Sequence, residues 1–294
     1  MNTPTITAII LTYNEEIHIK RCIDSLKKDV DTIIVVDSFS KDKTVAIAEE
    51  NGALIYQNPF VNQAIQFNWA LDHCEIKSEW ILRIDADEYL ESQKSIKSFL
   101  SKLASETDGI LIKRKIVFLE KELLHGGWFP KFNLRIFRNG NGRCEERWMD
   151  EHIIVMGNVV ESDIVLVDKN LNSLKWWIDK HNKYAEREVA DFFWEQTKKE
   201  SVSPKFWGTE AERKRFLKLA YINFPLFLRP IMNFLYRYII RMGFLDGTSG
   251  FVWHVLQGFW YRFLVDAKIY ELKLKYQGNQ DKIKEHIKKE FQIK

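Results

Sequence analysis

The sequence predicts an α/β fold, in which a mostly parallel sheet carries helices on both faces, followed by a helical C-terminal region. Three observations support this prediction. Over the first 115 residues short β-branched runs alternate with longer amphipathic stretches, polar side chains follow three of these runs, and the last third is basic and rich in aromatic residues. Alternating strands and helices are typical of a parallel sheet, because each connecting helix packs on one of its faces.

The predicted elements follow one another in a regular order. The predicted strands are Ile6–Leu11, Thr32–Asp37, Ala53–Tyr56, Trp80–Asp85 and Gly109–Lys115. The amphipathic stretches that alternate with them span residues 15–28, 43–51, 62–75 and 92–104. We expect Asn14 to cap the first helix, with Glu15 and Glu16 in its first turn, and Asn51-Gly52 to end the second.

Beyond residue 115 the composition changes twice. From about 116 to 160 the segments are shorter, with glycine pairs and many aromatic and arginine residues, which predicts an antiparallel, acceptor-facing part of the same domain. Residues 173–200 predict a helix, and Ser201–Pro204 interrupts it. We therefore predict a catalytic domain at 1–204 and a helical, basic, amphipathic region at 205–294.

Length and composition narrow the class of protein. The 294 residues are 46% hydrophobic, which is sufficient for a sizeable core. The three cysteines are widely spaced and form no CxxC pair, so a reducing compartment is favoured over a disulfide framework or a zinc site. Neither a signal-like N-terminus nor a charge-free run of eighteen apolar residues occurs, so we expect neither export nor a spanning helix.

Charge is distributed unevenly along the chain. Residues 1–200 carry 27 Lys+Arg against 33 Asp+Glu, a net −6, whereas residues 201–294 carry 17 against 8, a net +9. A basic, aromatic-rich last third attached to a mildly acidic body indicates that this third meets an anionic surface.

The segment Trp80–Glu88 carries the strongest chemical signal. An apolar run of strand length ends in Asp85, Ala86 and Asp87, followed by Glu88. Ligands of α/β sheets bind beyond the carboxyl ends of the strands, and carboxylates are ligands that Mg²⁺ or Mn²⁺ prefers when it also holds a diphosphate. The alternative is an acidic strand-to-helix turn without a metal.

Two further strand ends carry polar groups. Thr12–Glu16 follows the first strand and is compatible with a nucleotide site or with a simple capped helix. Asp37 ends the second strand, where a carboxylate can accept hydrogen bonds from a base imide or a ribose hydroxyl. The sequence contains no GxGxxG, which disfavours a nicotinamide or flavin site.

Taken in order, these motifs resemble a known family. TYNEE, VVDSxSxDxT and DAD(E) are similar to the signatures of the family 2 glycosyltransferases of the GT-A fold, and the resemblance covers roughly residues 5–160. It implies a UDP-sugar donor and a divalent cation, Mg²⁺ or Mn²⁺. Phe39 is a departure, because the family commonly has glycine there.

The resemblance also implies roles for individual residues. Tyr13 and Glu15 would line the pocket for uracil and ribose, and Asp37 would bind the base. Asp85 would lie near the ribose and the metal, and Asp87 would ligate the cation. The implied nucleotide-binding set is Thr12, Tyr13, Glu15, Asp37, Asp85 and Ala86.

A sugar transfer also needs a base for the acceptor hydroxyl. In inverting relatives a late Asp or Glu has this role, and Met149–His152 resembles the family's HE-type segment before a short strand, here Ile153–Val155. Glu151 is our first candidate for the base and Asp150 the second. Glu145 and Glu146 are interpreted as a solvated charge run.

A second resemblance concerns the acceptor. Residues 125–138 are similar to the GWxPxxxxRLFR stretch of lipopolysaccharide-core and capsule-type members. Trp128 could stack on a sugar face, and Arg135 or Arg138 could bind a phosphate. The alternative places Trp128 in the core and both arginines on the surface.

The C-terminal helices predict a membrane surface. Arg229, Asn233, Arg237 and Arg241 are spaced by four and form one polar stripe, and the rest of the helix carries Ile231, Leu235, Tyr238, Ile239 and Met242. This pattern suits an interfacial helix. The polar residues of the stretch Phe251–Tyr270 form a similar stripe: His254, Gly258, Arg262 and Asp266. In the tail, Ile283, Ile287 and Phe291 recur at helical spacing among lysines. The alternative is that these helices pack on the catalytic domain or on a second subunit.

These observations predict an inverting, metal-assisted glycosyltransferase, peripheral on the cytoplasmic face of the cell membrane. Its acceptor would be a lipid-linked or lipopolysaccharide- or capsule-type glycan, without a nucleic-acid partner, and self-association remains open. A nucleotidyltransferase would ordinarily bring a Gly-rich basic N-terminal loop, and a processive synthase would bring spanning helices and a QxxRW segment. A non-enzymatic membrane-binding scaffold is the remaining alternative.

Overall fold

The computed structural model of the protein describes residues 3–91, 95–145, 152–195 and 224–290. The chain divides into two compact units, Met1–Leu171 and Asn172–Lys294. The predicted domain boundary at 204/205 falls within 196–223, outside the described residues, and stays a prediction.

The first unit is built on a mixed sheet with the strand order β3-β2-β1-β4-β8-β6-β11-β5, and β7 pairs with β6. Its strands are β1 (Ile6–Thr12), β2 (Thr32–Asp37), β3 (Leu54–Gln57), β4 (Trp80–Asp85), β5 (Glu88–Leu90), β6 (Thr107–Phe118), β7 (Lys121–Leu123), β8 (Lys131–Arg138) and β11 (Asn158–Lys169). A separate antiparallel hairpin joins β9 (Gly142–Cys144) to β10 (Ile153–Val155).

The directions of the strands confirm the predicted fold class. Strands β3, β2, β1 and β4 are parallel, and β8 is antiparallel to β4 and β6. Strand β11, which runs parallel to β6, was not predicted. Its apolar run, Ile164–Val167, is short and is flanked by Asp163 and Asp168, and the sequence beyond residue 160 was not interpreted as a strand.

Helices cover both faces of the sheet, as predicted. They are α1 (Ile19–Leu26), α2 (Thr44–Glu50), α3 (Gln63–His73) and α4 (Ile96–Leu100). Ile6, Ala8 and Ile10 of β1 belong to one core cluster, which also includes residues of α1, α2 and α4. Ile9 points to the opposite face and shares a second cluster with residues of α3, such as Phe67. This alternation follows from the two-residue period of a strand.

One predicted helix boundary is wrong. Helix α1 begins at Ile19, four residues later than predicted, and Asn14 does not cap it. Asn14 adopts a left-handed backbone conformation with φ of 55°, and its Oδ1 accepts a hydrogen bond from the Lys41 amide at 2.8 Å. A partner 27 residues away therefore replaces the expected local cap. The predicted end of α2 at Asn51-Gly52 is confirmed.

The second unit is helical. It contains α5 (Leu174–Glu195), α6 (Leu228–Leu235), α7 (Gly247–Trp253), α8 (Tyr261–Lys275) and α9 (Gln280–Glu290). Wider π-helical turns continue α6 over Tyr236–Ile240 and precede α8 over His254–Trp260, and a 3₁₀ turn spans Gly243–Asp246. Across the described ranges, every helix falls short of the length and apolar content that a membrane crossing requires.

The core of this unit changes the interpretation of the predicted C-terminal stripes. Ile283 and Ile287 of the tail are fully buried against α5 and α8, so they are not available to a lipid surface. Phe291 lies outside the described residues. Among the polar residues of the second stripe, His254 and Asp266 are also buried.

Candidate active site

The parallel strands bring the predicted polar residues to one edge of the sheet. Thr12 pairs in register with Asp37, and Leu11 pairs with Asp85 on the other side of β1. The ends of β1, β2 and β4 are therefore level with one another. This is the edge at which α/β sheets bind their ligands.

The loops after β1 and β2 are tied to each other by hydrogen bonds. The amides of Asn14 and Glu15 donate to Ser40 Oγ at 2.8 Å and to Thr44 Oγ1 at 2.7 Å. Two further bonds between the loops join Glu16 to Asp42 and Lys43. The two motifs thus form a pair of interlocked loops, in which many of the polar groups bind the loops to each other.

Asp37 shows this most clearly. Its side chain is fully buried, and its Oδ2 accepts the Ser40 amide at 2.8 Å. Its Oδ1 accepts the hydroxyl groups of Thr12, at 3.1 Å, and of Ser40. A nucleotide base would therefore have to replace one of these donors to reach the carboxylate.

Glu15 is similarly engaged within the protein. Its Oε2 lies 2.6 Å from Nδ1 of the fully buried His18, whose Nε2 accepts the Leu171 amide at 2.8 Å. Because Nε2 is an acceptor, the ring carries its proton on Nδ1 and donates it to Glu15. This pair fixes the start of α1 below the loops.

Two aromatic side chains project from the interlocked loops. Tyr13 and Phe39 are 54% and 51% exposed. Tyr13 directly follows β1, and Phe39 lies two residues after the end of β2. Phe39 has a φ of 60°, a conformation that costs a residue with a Cβ roughly 1–2 kcal/mol and that glycine adopts freely. This explains why glycine suits the position and why the departure at Phe39 carries a strain.

The end of β4 is embedded in a network of carboxylates and guanidinium groups. Arg135 Nη2 lies 3.0 Å from Glu88 Oε1 and 3.3 Å from Asp85 Oδ2. The Asp85 amide donates to Glu88 Oε2 at 3.0 Å, and Arg114 Nε lies 3.5 Å from Glu88 Oε1. Arg114 also pairs with Asp168. The buried Glu88 therefore links the acidic turn to two arginines of β6 and β8.

The two neighbouring carboxyls of this network differ in protonation. Burial raises the pKa of Glu88 to about 7, against the opposing effect of Arg135, and the charge of Asp85 adds to the shift. Burial also acts to raise the pKa of Asp85, but Arg135 and Arg83 outweigh it and hold that pKa well below its usual range. Asp85 is consequently ionised at neutral pH, whereas Glu88 is the member of the pair that titrates there.

Asp87 is held by residues that are distant in the sequence. Its Oδ2 accepts Asn170 Nδ2 at 3.0 Å, and its backbone carbonyl accepts the Lys169 amide at 3.2 Å. Arg21 Nη2 donates to the same carbonyl at 2.9 Å. The sequence identified neither Arg21 nor Asn170, because no local pattern links α1 or the end of β11 to this turn. Ala86, between the two aspartates, is buried in the core.

The chemistry of Asp87 fits a magnesium or manganese ion. Its carboxylate is partly exposed, and only its Oδ2 accepts a hydrogen bond from a described residue. Mg²⁺ is commonly held by one or two carboxylates and completes its shell with water and substrate phosphates. Among the described residues no group of three or more His, Cys, Asp or Glu side chains is arranged to hold a metal.

The predicted acceptor residues are separated by the structure. Arg135 lies in the network at the acidic turn, and its described partners are carboxylates. Arg138 pairs in register with Trp80, at the opposite end of β4 from Asp85. Its Nε donates to the Thr107 carbonyl at 2.7 Å, and it pairs with Glu79. These contacts hold Arg138 away from the acidic turn, and its predicted binding of a phosphate stays a prediction.

Trp128 lies in the turn before β8. It is partly buried, and its amide donates to the His125 carbonyl at 3.3 Å. Trp128 is therefore neither in the core, as the alternative interpretation places it, nor fully exposed. Its predicted stacking on a sugar stays a prediction.

The two candidate bases, Asp150 and Glu151, lie in 146–151, outside the described residues. The residues that flank this segment contact each other: the Glu145 amide donates to the His152 carbonyl at 2.9 Å, and His152 Nδ1 lies 3.1 Å from Glu145 Oε1. On the preceding strand, Cys144 Sγ lies 3.4 Å from Arg83 Nη1. Cys144 therefore lies beside Arg83 of β4, which is two residues before Asp85 in the sequence.

Comparisons with known proteins agree with this geometry. Residues 7–159 match the family described as "Glycosyl transferase family 2". An "Uncharacterized glycosyltransferase" of Rickettsia felis is 31% identical over 280 residues, which are 92% of this chain and 91% of that protein. The "Lipopolysaccharide core biosynthesis glycosyltransferase LpsC" of Rhizobium meliloti is 31% identical over 305 residues, 96% of this chain and 98% of that protein.

A solved structure gives a weaker match. The glucosyl-3-phosphoglycerate synthase of Mycobacterium tuberculosis, crystallised with Mg²⁺ and uridine diphosphate, aligns with a TM-score of 0.30 and 24% identity, over 38% of this chain and 44% of that chain. A likeness of this size supports no inference about ligands.

Proposed function

Because the chain belongs to glycosyl transferase family 2, we propose that this glycosyltransferase moves a sugar from a UDP-sugar to a hydroxyl group of a glycan acceptor, with the aid of a divalent cation. The observation that supports this most strongly is the convergence of Thr12, Asp37 and the Asp85–Asp87 turn at one edge of the parallel sheet. Family membership argues against the nucleotidyltransferase and the scaffold.

In this proposal Asp87 binds the cation, Mg²⁺ or Mn²⁺, that neutralises the charge of the departing diphosphate. Asn170 and the backbone contacts of Arg21 and Lys169 orient the carboxylate toward this task. Positioned charge at the leaving group lowers the barrier to transfer.

The nucleoside of the donor would lie against the interlocked loops. The exposed ring of Tyr13 offers a face for uracil, and Phe39 is a second aromatic on the neighbouring loop. Asp85, ionised and held by Arg135, offers an acceptor to the ribose hydroxyls. Thr12, Glu15 and Asp37 support the loops by the hydrogen bonds described above.

We propose an inverting reaction, in which the acceptor oxygen attacks the anomeric carbon while the bond to UDP breaks. A carboxylate must take the proton of the attacking hydroxyl. Glu151 is the proposed base and Asp150 the second candidate. The contact between Cys144 and Arg83 supports this choice, because it brings Cys144, two residues before 146–151 in the sequence, beside β4.

The acceptor is proposed to be a lipid-linked or lipopolysaccharide- or capsule-type glycan. The name of the Rhizobium meliloti relative, a lipopolysaccharide core biosynthesis glycosyltransferase, supports this class of acceptor. We accordingly propose that the protein works at the cytoplasmic face of the cell membrane, as a peripheral protein. Trp128 is the proposed contact for an acceptor sugar.

The proposal is tested by UDP release from a panel of UDP-sugars, with GDP- and CMP-sugars as comparison. We expect release from at least one UDP-sugar, its loss with EDTA, and a fall of about 10²–10⁴-fold in kcat for Glu151→Gln. Glu145→Gln is the matched control, because Glu145 pairs with His152 in the same hairpin. Undiminished turnover in EDTA, or equal rates for both variants, would contradict the proposal.

A further inference from the structure

The helix formed by α6 and the following π-helical turn is amphipathic, but its apolar face points outward. Its large apolar side chains face away from the unit, 40% to 68% exposed. We call the following residues the outer stripe: Leu228, Ile231, Met232, Leu235, Tyr236, Ile239 and Ile240, continued by Met242, Phe244 and Leu245. The first seven recur at the three- and four-residue spacing of one helix face.

The polar residues of the same helix face inward. Arg229 is 4% exposed, and its Nε donates to Oδ1 of the equally buried Asp266 at 2.7 Å. Asn233 Nδ2 donates to the Gly258 carbonyl at 2.7 Å. Arg229 and Asn233 of the predicted basic stripe therefore hold the helices of the second unit together and do not face a membrane.

A helix on the surface of a water-soluble protein has the opposite arrangement, with its apolar side chains inside. Contiguous exposed apolar surface of this kind marks a site of contact with a membrane or with another protein. The inward hydrogen bonds fix this orientation, because turning the helix over would leave the buried Asp266 without Arg229.

The charges around the outer stripe indicate which of these it contacts. Residues 224–251 contain four charged side chains, Arg229, Arg237, Arg241 and Asp246. Arg229 and Asp246 are buried, so every charge that reaches the surface here is positive, on Arg241 and in part on Arg237. Exposed aromatic rings, Tyr236 and Phe244, lie on the same face. Apolar and aromatic side chains with a basic border fit an anionic lipid surface.

We infer that the outer stripe inserts into the headgroup boundary of an anionic membrane and is the surface by which the protein reaches its lipid-linked acceptor. The second part of this inference rests on the proposed function. Arg229 of the predicted stripe and Ile283 and Ile287 of the predicted tail take no part in this contact, since they are buried within the unit.

The test is co-flotation of the full-length chain with phosphatidylcholine vesicles, with and without phosphatidylglycerol. The double variant Ile239→Gln, Ile240→Gln is compared with Met156→Gln, Leu274→Gln, which changes two equally exposed apolar residues outside the stripe. Because two isoleucine side chains would no longer gain free energy by burial in the membrane, we expect the stripe variant to bind at least about tenfold more weakly and the control to bind as the unmodified protein does. Arg241→Gln should weaken binding only where phosphatidylglycerol is present.

Equal binding by both double variants, or no binding by the unmodified protein, would overturn the inference. A dimer that the stripe variant converts to a monomer in sedimentation experiments, with vesicle binding unchanged, would assign the stripe to a second copy of the chain. A lower Tm of the stripe variant without vesicle binding would mean that another part of the chain covers it. UDP release measured without vesicles should be unaffected in the stripe variant, so a failure of the membrane inference is separable from a failure of the proposed chemistry.

Discussion

Individual side chains at the sheet edge divide into those that hold the site and those that are open to a ligand. Asp37 and Glu15 are engaged by neighbours of the loops, whereas Tyr13 is exposed and Asp87 is partly so. The sequence predicted which residues come to this edge, because an apolar run ending in a carboxylate defines a strand end. It did not predict that Asp37 would be closed by Ser40, since such a contact depends on the conformation of the loop.

Asn170 provides a test of how Asp87 is positioned. Removing the amide in Asn170→Ala should lower the affinity for Mn²⁺ in the presence of UDP by about 10–100-fold, because partners that orient a ligating group have effects of this size. The affinity is measured by electron paramagnetic resonance of free Mn²⁺, without turnover.

The matched control is Asn141→Ala, which removes a comparable bond of 2.7 Å from Asn141 Nδ2 to Asp108 Oδ1. It should leave Mn²⁺ binding unchanged. If Asn170→Ala lowers the Tm but binds Mn²⁺ normally, Asn170 serves only to stabilise the fold.

At the scale of elements, the sequence predicted which residues share a helix face better than it predicted what that face contacts. The four-residue spacing of Arg229, Asn233 and Arg237 was evident, but spacing defines a face without saying what covers it. The buried partner of Arg229 is Asp266, 37 residues further along. Strand β11 and the start of α1 were missed for the same reason, because distant residues determine both.

The π-helical turn His254–Trp260 carries a histidine that should make the second unit sensitive to acid. Burial, with the charge of Arg237, lowers the pKa of His254 to about 4, while Asp246 opposes the shift. Above the unfolded value of about 6.5 the ring is neutral in both states, so pH has no effect through it. Below that value the unfolded chain takes up a proton that the native state resists, and stability falls until about pH 4.

We therefore expect His254→Leu to reduce the loss of unfolding free energy between pH 7 and pH 5 by about 2 kcal/mol. Urea unfolding at the two pH values measures this difference. The part due to His181, whose pKa burial also lowers to about 4, should remain in the variant. A variant with the same pH dependence as the unmodified protein would show that His254 is not the cause.

At the scale of the whole molecule, the two units differ in what they offer to the surroundings. The first presents a polar sheet edge with an acidic turn, and the second presents an apolar helix face with a basic border. The sequence predicted the first of these almost completely, because strand ends and family motifs coincide there. It also predicted a membrane surface for the second, which stays a prediction, but it did not predict the burial of Arg229 and Asp266, because burial cannot be derived from helical spacing alone.

The central claim is that Asp87 holds a divalent cation on the diphosphate of a UDP-sugar. Calorimetric titration of UDP with and without Mn²⁺ tests it most directly, on the unmodified protein, on Asp87→Asn and on Asp163→Asn, an exposed carboxylate that pairs with Lys113. We predict that Mn²⁺ tightens UDP binding at least about tenfold in the unmodified protein and in Asp163→Asn, and that Asp87→Asn loses this gain while still binding UDP alone. A gain from Mn²⁺ that is as large in Asp87→Asn as in the unmodified protein, or absent from both, would contradict the claim.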